Sequence, residues 1–278
     1  MSFITRFAPS PTGPLHLGHA YSAIRAHDMA RAAQGRFLLR IEDIDQTRAR
    51  PDWEAQILDD LSWLGLTWDA PPQRQSDRLP RYEAALDQLW EAGLLYPCRC
   101  RRRDIAAAAS APQEGAPLHG PDGLIYPGTC RDTPRTGPRP KGEALRLDMK
   151  KAAQDTVYYQ EISDGSHPTM TPEAMTARIG DIVLSRRDFL GSYHLSVVLD
   201  DADQGVTHVI RGADLAEATP IHVLLQRLLG LPTPLYHHHR LIRDETGKRL
   251  AKRDDARAIA TYRAAGDTPA DIRRRIGL

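Results

Sequence analysis

The sequence predicts an α/β fold built on a parallel, doubly wound sheet that is split by an inserted subdomain. Three observations lead to this prediction. Strand-like and helix-like segments alternate up to residue 66, which is typical of βαβ units in a parallel sheet. Apolar runs that suit buried strands return at 180–215. Between them, from 98 to about 141, the chain is rich in small residues, proline and glycine, which favours an insertion over a continuous core.

The elements before the insertion follow from local patterns. FITRF alternates and is rich in β-formers, which predicts a strand, and the amphipathic run after the proline-rich loop predicts a helix. RFLLRIEDID predicts a second strand that ends in an acidic cluster, and Pro51 opens the next helix at an N1-like position. In chain order the predicted elements are a strand over 3–7, a helix over 18–33, a strand over 36–45, and helices over 51–66 and 78–96.

After the insertion, the runs IVL, HLSVVL and THVI predict buried strands. Residues 218–230 predict a helix with Thr219 as its N-cap and Gly230 as its stop, followed by a loop with the segment GKRLAKRD and by short helices. We therefore divide the chain into a first half of the sheet domain over 1–96, an inserted subdomain over 97–180, a second half over 181–240, and a loop with short helices over 241–278.

Composition excludes several classes of protein. With 41% hydrophobic and 26% charged residues the chain is ordinary for a globular protein. No apolar run approaches the roughly 18 residues that a spanning helix needs, and the N-terminus lacks the apolar core of a signal peptide. A cytoplasmic monomer without a membrane partner is expected. The net charge of +1 restricts nucleic-acid binding to local patches, namely CRCRRRD (98–104), GKRLAKRD (247–254) and DIRRRIGL (271–278), of which the last reads as a solvated helix end.

The loop RFAPSPTGPLHLGH (6–19) leads from the first strand into the first helix. Free backbone N–H groups and the helix dipole make such a helix start a natural anion site. His16 and His19 lie three apart around Gly18, so both imidazoles can face one side and donate to a polyphosphate. A proline-shaped loop with capping histidines is the structural alternative.

The three cysteines, Cys98, Cys100 and Cys130, are an odd number, which argues against a disulfide framework. Two thiolates on a Cys-x-Cys knuckle and a third after a loop form a zinc site that lacks one ligand. His119 is the first chemical choice for that ligand, and three reduced, unligated cysteines are the alternative. The three histidines of YHHHRLI (236–242) predict no metal site, because neighbours on a strand point to opposite faces.

Five ordered segments carry a resemblance to a known family. PSPTGPLHLGH resembles the HIGH signature of class I aminoacyl-tRNA synthetases in the form used by the glutamyl/glutaminyl branch. RIEDID, YHLSVVLDD, THVIRGADL and GKRLAKRD follow in the order of that branch, and the last corresponds to its KMSKS loop. The resemblance covers residues 3 to about 260 and diverges over 100–140. It implies the class I Rossmann-type fold with an inserted zinc-bearing subdomain, short C-terminal helices and no anticodon-binding domain.

The resemblance implies a glutamate site. Glutamate brings two carboxylates and one ammonium, so it needs two cations and one anion. By resemblance Arg6 and Arg211 are the cations and Glu42 is the anion, and which arginine meets which carboxylate stays open. Tyr193 adds a hydroxyl, while Ala8 and Ser10 line the loop.

The same resemblance implies that ATP, with Mg²⁺, is held by His16, Gly18, His19 and Lys252 while glutamate is converted to glutamyl-adenylate. His16, His19 and Lys252 are the implied catalytic residues. The chain departs from the KMSKS pattern at Arg249, where the first lysine is expected, and at Ala251, where a hydroxyl is expected.

Two further features point to one branch of the family. The pattern Cys98-x-Cys100 with Tyr126-x3-Cys130 resembles the structural zinc site of a small relative, which implies Tyr126 as the fourth ligand in place of His119. The chain stops at Leu278 without a helical anticodon-binding region. Together they imply transfer of glutamate to queuosine in the anticodon stem-loop of tRNA(Asp). A compact synthetase that charges the tRNA acceptor end and a non-catalytic tRNA-binding paralogue are the alternatives.

Overall fold

A computed structural model of the chain describes residues 2–109, 119–135, 137–242 and 257–278. Its strands are β1 (Ile4–Phe7), β2 (Arg36–Ile41), β3 (Gln73–Arg74), β4 (Leu95–Cys98), β5 (His119–Gly120), β6 (Gly123–Leu124), β7 (Ala144–Leu147), β8 (Val157–Tyr158), β9 (Thr169–Met170), β10 (Val183–Ser185), β11 (His208–Gly212) and β12 (Leu235–His239).

The α-helices are α1 (Leu17–Ala32), α2 (Pro51–Trp63), α3 (Leu79–Glu91), α4 (Arg102–Ala109), α5 (Met149–Ala152), α6 (Pro172–Arg178), α7 (Tyr193–Asp203), α8 (Thr219–Leu228), α9 (Ile259–Ala264) and α10 (Pro269–Ile276). Single 3-10 turns precede α3 (Gln75–Arg78) and α8 (Ala213–Ala218). None of the helices in the described ranges is long and apolar enough to cross a membrane.

Parallel strands from both ends of the chain form the frame of the molecule. β1 pairs in parallel with β2, and β2 with β3, while β11 pairs in parallel with β12. The two groups meet where the Thr207 N–H donates to the carbonyl of Ile4 at 2.9 Å, just before β11. The carboxyl ends of β1, β2 and β11 therefore lie at one edge, where open α/β sheets bind ligands.

Between β3 and β11 the chain forms an antiparallel sheet in which β7 lies between β4 and β10. In its register Tyr96 lies opposite Arg146 and Cys98 opposite Ala144. This sheet packs with α3, α7 and α8 in one apolar core, while β1, β2, α1, α2 and α10 share another. The division of the chain at residues 96 and 180 stays a prediction.

Several local predictions differ from the structure. The strand predicted over 36–45 ends at Ile41, and the helix predicted over 51–66 ends at Trp63, before Gly65 takes a φ of +80°. HLSVVL is not a strand but part of α7, which Ser192 caps by accepting from the Leu195 N–H. The helix predicted over 78–96 ends at Glu91, since Gly93 takes a φ of +73° and the chain then enters β4. Thr219 is not an N-cap: Ala218 takes that position, and the threonine hydroxyl accepts from Arg211 instead.

Candidate functional site

A cavity of about 410 Å³ opens at the carboxyl edge of the parallel strands. Arg6 lies near the end of β1, Glu42 follows the last residue of β2, and Arg211 lies near the end of β11. Tyr193, the first residue of α7, exposes 37% of its surface. The strand ends thus bring together groups that are up to about 200 positions apart in the sequence.

Most of the residues that the sequence singled out line this cavity: Arg6, Ala8, His16, Gly18, His19, Glu42, Tyr193 and Arg211. Among the described residues, Ser10 does not line the cavity. Its backbone carbonyl accepts a hydrogen bond from the Thr12 N–H at 2.8 Å. Lys252, with the variant positions Arg249 and Ala251, lies outside the described residues.

His16 and His19 cap α1 with their rings. The Gly18 N–H donates to His16 Nδ1 at 3.1 Å, and the His16 N–H donates to His19 Nδ1 at 3.2 Å. Both Nδ1 atoms accept, so a neutral ring carries its proton on Nε2. A Cβ at residue 18 would lie 3.0–3.1 Å from His16 ring atoms, so a larger residue there would have to displace the ring. The two histidines can therefore cap the helix through Nδ1 and still donate from Nε2 to an anion.

The Arg6 guanidinium is fixed from behind by α7. Arg6 donates to both oxygens of Asp201, at 2.8 and 3.3 Å, and the fully buried Arg40 donates to the same carboxylate at 2.6 Å. Arg40 also contacts Glu42 at 3.4 Å. The floor of the cavity is thus an alternating network of arginine and carboxylate groups, which holds Arg6 rigidly while sharing part of its charge.

The pKa values in this network follow from burial and neighbouring charge. Burial raises the pKa of Glu42, against the opposing attraction of Arg40 and Arg6. Burial also opposes ionisation of Asp201, but the attraction of Arg6 and Arg40 outweighs it, and the net pKa of Asp201 is lowered. Asp201 is therefore the ionised counter-charge. Glu42 gains from a cation placed beside it, which suits an incoming ammonium group.

Arg211 is held by neutral groups. Its Nε–H donates to His238 Nε2 at 3.1 Å, Nη1 donates to His222 Nδ1 at 2.9 Å, and Nη2 donates to Thr219 Oγ1 at 2.7 Å. None of the partners that the described residues provide is a carboxylate. The charge of Arg211 is therefore not paired within the described part of the chain, whereas Arg6 forms an ion pair with Asp201.

The three cysteines lie together, as predicted, with their sulfurs within 4.8 Å of one another. The Tyr126 hydroxyl lies 3.5 Å from Cys98 Sγ and 3.4 Å from Cys100 Sγ, and the Cys130 N–H donates to it at 2.8 Å. His119 is exposed on β5 and does not belong to this group. A donor set of three thiols and one phenol around one point fits a tetrahedral thiophilic cation such as Zn²⁺.

The surroundings of the cysteine cluster favour negative charge on Cys130, whereas burial raises the pKa of the Cys100 thiol. Arg146 donates from Nε to Cys98 Sγ at 3.3 Å and lies over the Tyr126 ring, 3.8 Å from its centre. Burial raises the pKa of Cys130, but hydrogen bonds from Tyr126 and its neighbours lower it more, to about 7. Thiolate is the form that binds metals.

Sequence reasoning assigned no role to several residues of the site. Asp201 and Arg40 lie inside the quoted segments YHLSVVLDD and RFLLRIEDID, so the motif itself was the available signal. No local signal marks His222 and His238, which contact Arg211 from 11 and 27 positions further along the chain. Further lining residues of the cavity are Phe7, Ser22, Ile210, Gly212, Asp214, Leu215, His239, Leu241 and Ile242.

Comparison with known proteins agrees with this geometry. Residues 2–278 match the family model described as tRNA synthetases class I (E and Q), catalytic domain. A curated protein of Rhodobacter capsulatus, named glutamyl-Q tRNA(Asp) synthetase, is 67% identical over 279 residues, which cover 99% of this chain and 100% of that protein. A protein of the same name from Nocardia farcinica is 45% identical, covering 96% of this chain and 81% of its own length.

Among solved structures, the glutamate-tRNA synthetase from Elizabethkingia anophelis matches with a TM-score of 0.73 and 28% identity. The match covers 91% of this chain and 53% of that one. The chain therefore spans about half the length of that synthetase, and the likeness extends over nearly all of the described fold.

Proposed function

From the premise that the chain belongs to the class I glutamyl- and glutaminyl-tRNA synthetase family, and so is a ligase, we propose that it activates L-glutamate with ATP and transfers the glutamyl group to queuosine at the wobble position of tRNA(Asp). The observation that carries the proposal is the 67% identity, over essentially both whole chains, to a protein with that name. The cavity supports it, because Arg6, Arg211 and Glu42 line it together and are opposite in charge to the two carboxylates and the ammonium group of glutamate.

In this proposal the cavity binds glutamate through charge pairing. Arg6 and Arg211 face the two carboxylates, and Glu42 accepts the ammonium group. The ammonium offsets the burial that raises the pKa of Glu42. Arg211 has no carboxylate partner among the described residues, so a glutamine side chain, which is neutral, would leave its charge unbalanced. The Tyr193 hydroxyl and Ala8 complete the pocket, with Ser10 in the loop behind it.

Activation then needs ATP beside the start of α1. One oxygen of the glutamate α-carboxylate attacks the α-phosphorus, a P–O bond to pyrophosphate breaks, and glutamyl-adenylate forms. His16 and His19 offer Nε2–H donors to phosphate oxygens at the positive end of the helix, where Gly18 permits close approach. Mg²⁺ accompanies ATP and neutralises its phosphates. By family resemblance Lys252 is the further residue expected to bind the phosphates.

Transfer completes the reaction. A hydroxyl of the queuosine cyclopentene ring attacks the glutamyl carbonyl, AMP leaves, and the hydroxyl proton passes to solvent. The base must be splayed out of the anticodon loop to reach the adenylate, and the phosphates around it need cations. CRCRRRD (98–104) can supply them, although Arg99 already contacts Glu143 at 3.2 Å and an ordinary exposed basic run is the alternative.

We extend the proposal to the cysteine cluster and the chain's organisation. Zn²⁺, bound by Cys98, Cys100, Tyr126 and Cys130, would brace the segment over 97–180 against the sheet domain. That segment would then present its surface to the tRNA between the two halves of the sheet domain, 1–96 and 181–240, with 241–278 carrying the loop and short helices. The short Sγ–Oη distances support this ligand set.

The test is transfer of labelled glutamate, with ATP and Mg²⁺, to tRNA(Asp) with and without queuosine and to tRNA(Glu). Labelling of queuosine-containing tRNA(Asp) alone is expected. Labelling of tRNA(Glu) would replace the proposal with a compact glutamyl-tRNA synthetase. No labelling, together with no glutamate-dependent exchange of pyrophosphate into ATP, would leave a non-catalytic paralogue. Release of labelled glutamate by mild base, with the tRNA's 3′ end blocked, distinguishes the base from the terminal ribose.

A further inference from the structure

Two chains of histidines lead from Arg211 to carboxylates that do not line the cavity. On one side His238 lies between Arg211 and Glu161: His238 Nε2 is 3.1 Å from Arg211 Nε, and His238 Nδ1 is 2.5 Å from Glu161 Oε2. On the other side His222 and His194 lie in series, and the outer histidine reaches a carboxylate on the β5–β6 turn.

The available donors and acceptors determine which group donates in each hydrogen bond. Arg211 can only donate, so His238 Nε2 must accept, and a neutral His238 then carries its proton on Nδ1 and donates it to Glu161. Burial, followed by the charge of Arg211, lowers the pKa of His238, while the pKa of Glu161 is lowered by its hydrogen-bond donors against the effect of burial. At neutral pH the pair is thus a neutral imidazole and a carboxylate.

The second chain runs in the same direction. Arg211 Nη1 donates to His222 Nδ1 at 2.9 Å, so His222 donates from Nε2 to His194 Nδ1 at 3.1 Å. His194 in turn donates from Nε2 to Asp122 Oδ1 at 3.2 Å. Burial and the charge of Arg211 lower the pKa of His222 well below its usual range, which keeps this ring neutral.

We propose that Glu161 and Asp122 are positioning residues for Arg211: each carboxylate, acting through one or two neutral imidazoles, selects the tautomer that presents a lone pair to an Arg211 N–H. Neither carboxylate contacts the guanidinium, so the Arg211 charge stays available at the cavity. Arg211 is thereby oriented by acceptors that cannot compete with a substrate carboxylate for its charge. The inference rests on the proposed function for the identity of that carboxylate.

The register of the sheet explains how Glu161 acts on Arg211. Arg211 and His238 are directly opposite one another in the β11–β12 pair, so the imidazole is fixed beside the guanidinium by the backbone. Glu161 Oε1 accepts from the Ser163 N–H at 3.0 Å, the Ser163 hydroxyl at 2.6 Å and the His238 N–H at 3.2 Å, which leaves Oε2 for the imidazole.

Glu161→Gln is the sharpest perturbation, because it keeps the shape of the side chain. The amide oxygen must remain with the three donors at the Oε1 position, so the NH₂ group faces His238 Nδ1. His238 must then accept at Nδ1 and move its proton to Nε2, which places an N–H against the Arg211 Nε–H. Asp164→Asn is the matched control, since Asp164 is exposed and donors from Ser166 are its contacts.

The first readout is spectroscopic and independent of activity. Two-bond ¹⁵N–¹H correlation of the histidine rings, with His238 assigned through His238→Gln, should show the proton on Nδ1 in the parent protein and in Asp164→Asn. In Glu161→Gln it should move to Nε2. An unchanged tautomer in Glu161→Gln would overturn the inference, whatever the activity of the protein.

The second readout separates positioning from a general structural role. In glutamate-dependent pyrophosphate exchange, Glu161→Gln should raise the KM for glutamate about tenfold, with kcat and the KM for ATP within about twofold of the parent. Asp122→Asn, at an exposed turn, should raise the glutamate KM up to about threefold, because its amide oxygen can still face His194. Equal rises in the KM values for glutamate and ATP in Glu161→Gln, or an unchanged glutamate KM in that variant, would contradict the inference. A parent without glutamate-dependent exchange would refute the proposed function alone.

Discussion

Replacing Asp60 by asparagine should stabilise the folded protein, and by more at pH 8 than at pH 5. Asp60 lies on α2 and is 1% exposed, and neither of its carboxylate oxygens has a hydrogen-bond partner among the described residues. Burial and, to a smaller extent, the charge of Asp59 raise the pKa of Asp60 from 3.8 to about 6. The carboxylate is therefore a destabilising charge at neutral pH.

The size and sign of the effect follow from linkage. The folded state binds the proton more tightly than the unfolded state, so the free energy of unfolding falls as pH rises from about 3.8 to about 6, and the penalty is complete above that range. At about 1.36 kcal/mol per pKa unit, the raised pKa corresponds to about 3 kcal/mol at pH 8 and about 1.5 kcal/mol at pH 5. Relaxation towards water reduces both values, so we expect a gain of about 1–3 kcal/mol at pH 8 and about half of that at pH 5.

Urea denaturation followed by circular dichroism at the two pH values is the assay. Asp59→Asn is the comparison for an exposed carboxylate: the Asp59 side chain is 66% exposed and pairs with Arg263 at 2.7 Å, so loss of this pair should cost no more than about 1 kcal/mol. Because the Asp59 charge also raises the pKa of Asp60, its removal offsets part of that cost. An equal gain for Asp60→Asn at both pH values would refute the electrostatic reasoning. A loss of stability at pH 8 would show that the carboxylate is compensated.

Three further predictions concern the cavity, the cysteine cluster and the fold. Arg6→Lys should raise the KM for glutamate at least tenfold in pyrophosphate exchange, because lysine cannot form the two hydrogen bonds by which Asp201 holds Arg6. An unchanged KM would exclude Arg6 from the glutamate site. Elemental analysis should find no bound zinc in Cys100→Ser. Tyr126→Phe should retain zinc but release it faster to a chelator. Parent protein without zinc would contradict both expectations. Gly35→Ala should lower the free energy of unfolding by more than about 2 kcal/mol in urea denaturation, because the new Cβ would overlap the backbone carbonyl oxygen of Phe3. Gly230→Ala, with open space around the Cβ and a φ of +67°, should lower it by about 1 kcal/mol. Similar losses in the two variants would contradict the overlap.

Local pattern was sufficient for the three strands that carry the charged groups of the cavity and for the start of α1. The alternation of FITRF, the run RFLLRI and the run THVI predict strands, and their parallel order places Arg6, Glu42 and Arg211 at one edge. The histidine motif also follows from local chemistry, because both rings cap the helix on which they lie. These features depend on neighbours in sequence or on the direction of a strand.

Pattern failed where burial removed the contrast on which it depends. The residues of α7 from 194 to 201 are all buried, so the helix shows no polar face, and a continuous apolar run does not distinguish it from a strand. Thr219 follows the N-cap rule for its residue type, yet its hydroxyl is needed by Arg211, and the backbone places Ala218 at the cap. Tertiary contacts decided both cases.

The charged floor of the cavity has a consequence for how the protein reaches its active form. Arg6 and Asp201 are 195 positions apart, and Arg40 and Asp201 are 161 apart. Contacts of such high order require closure of very long loops, so we expect them to form late in folding. Until they form, Arg6 has no bidentate partner and the binding site does not exist. Glutamate binding should therefore recover in the slowest phase of refolding, after helix content has returned. A chain released before α7 is synthesised would contain the HIGH-like motif but could not bind the amino acid.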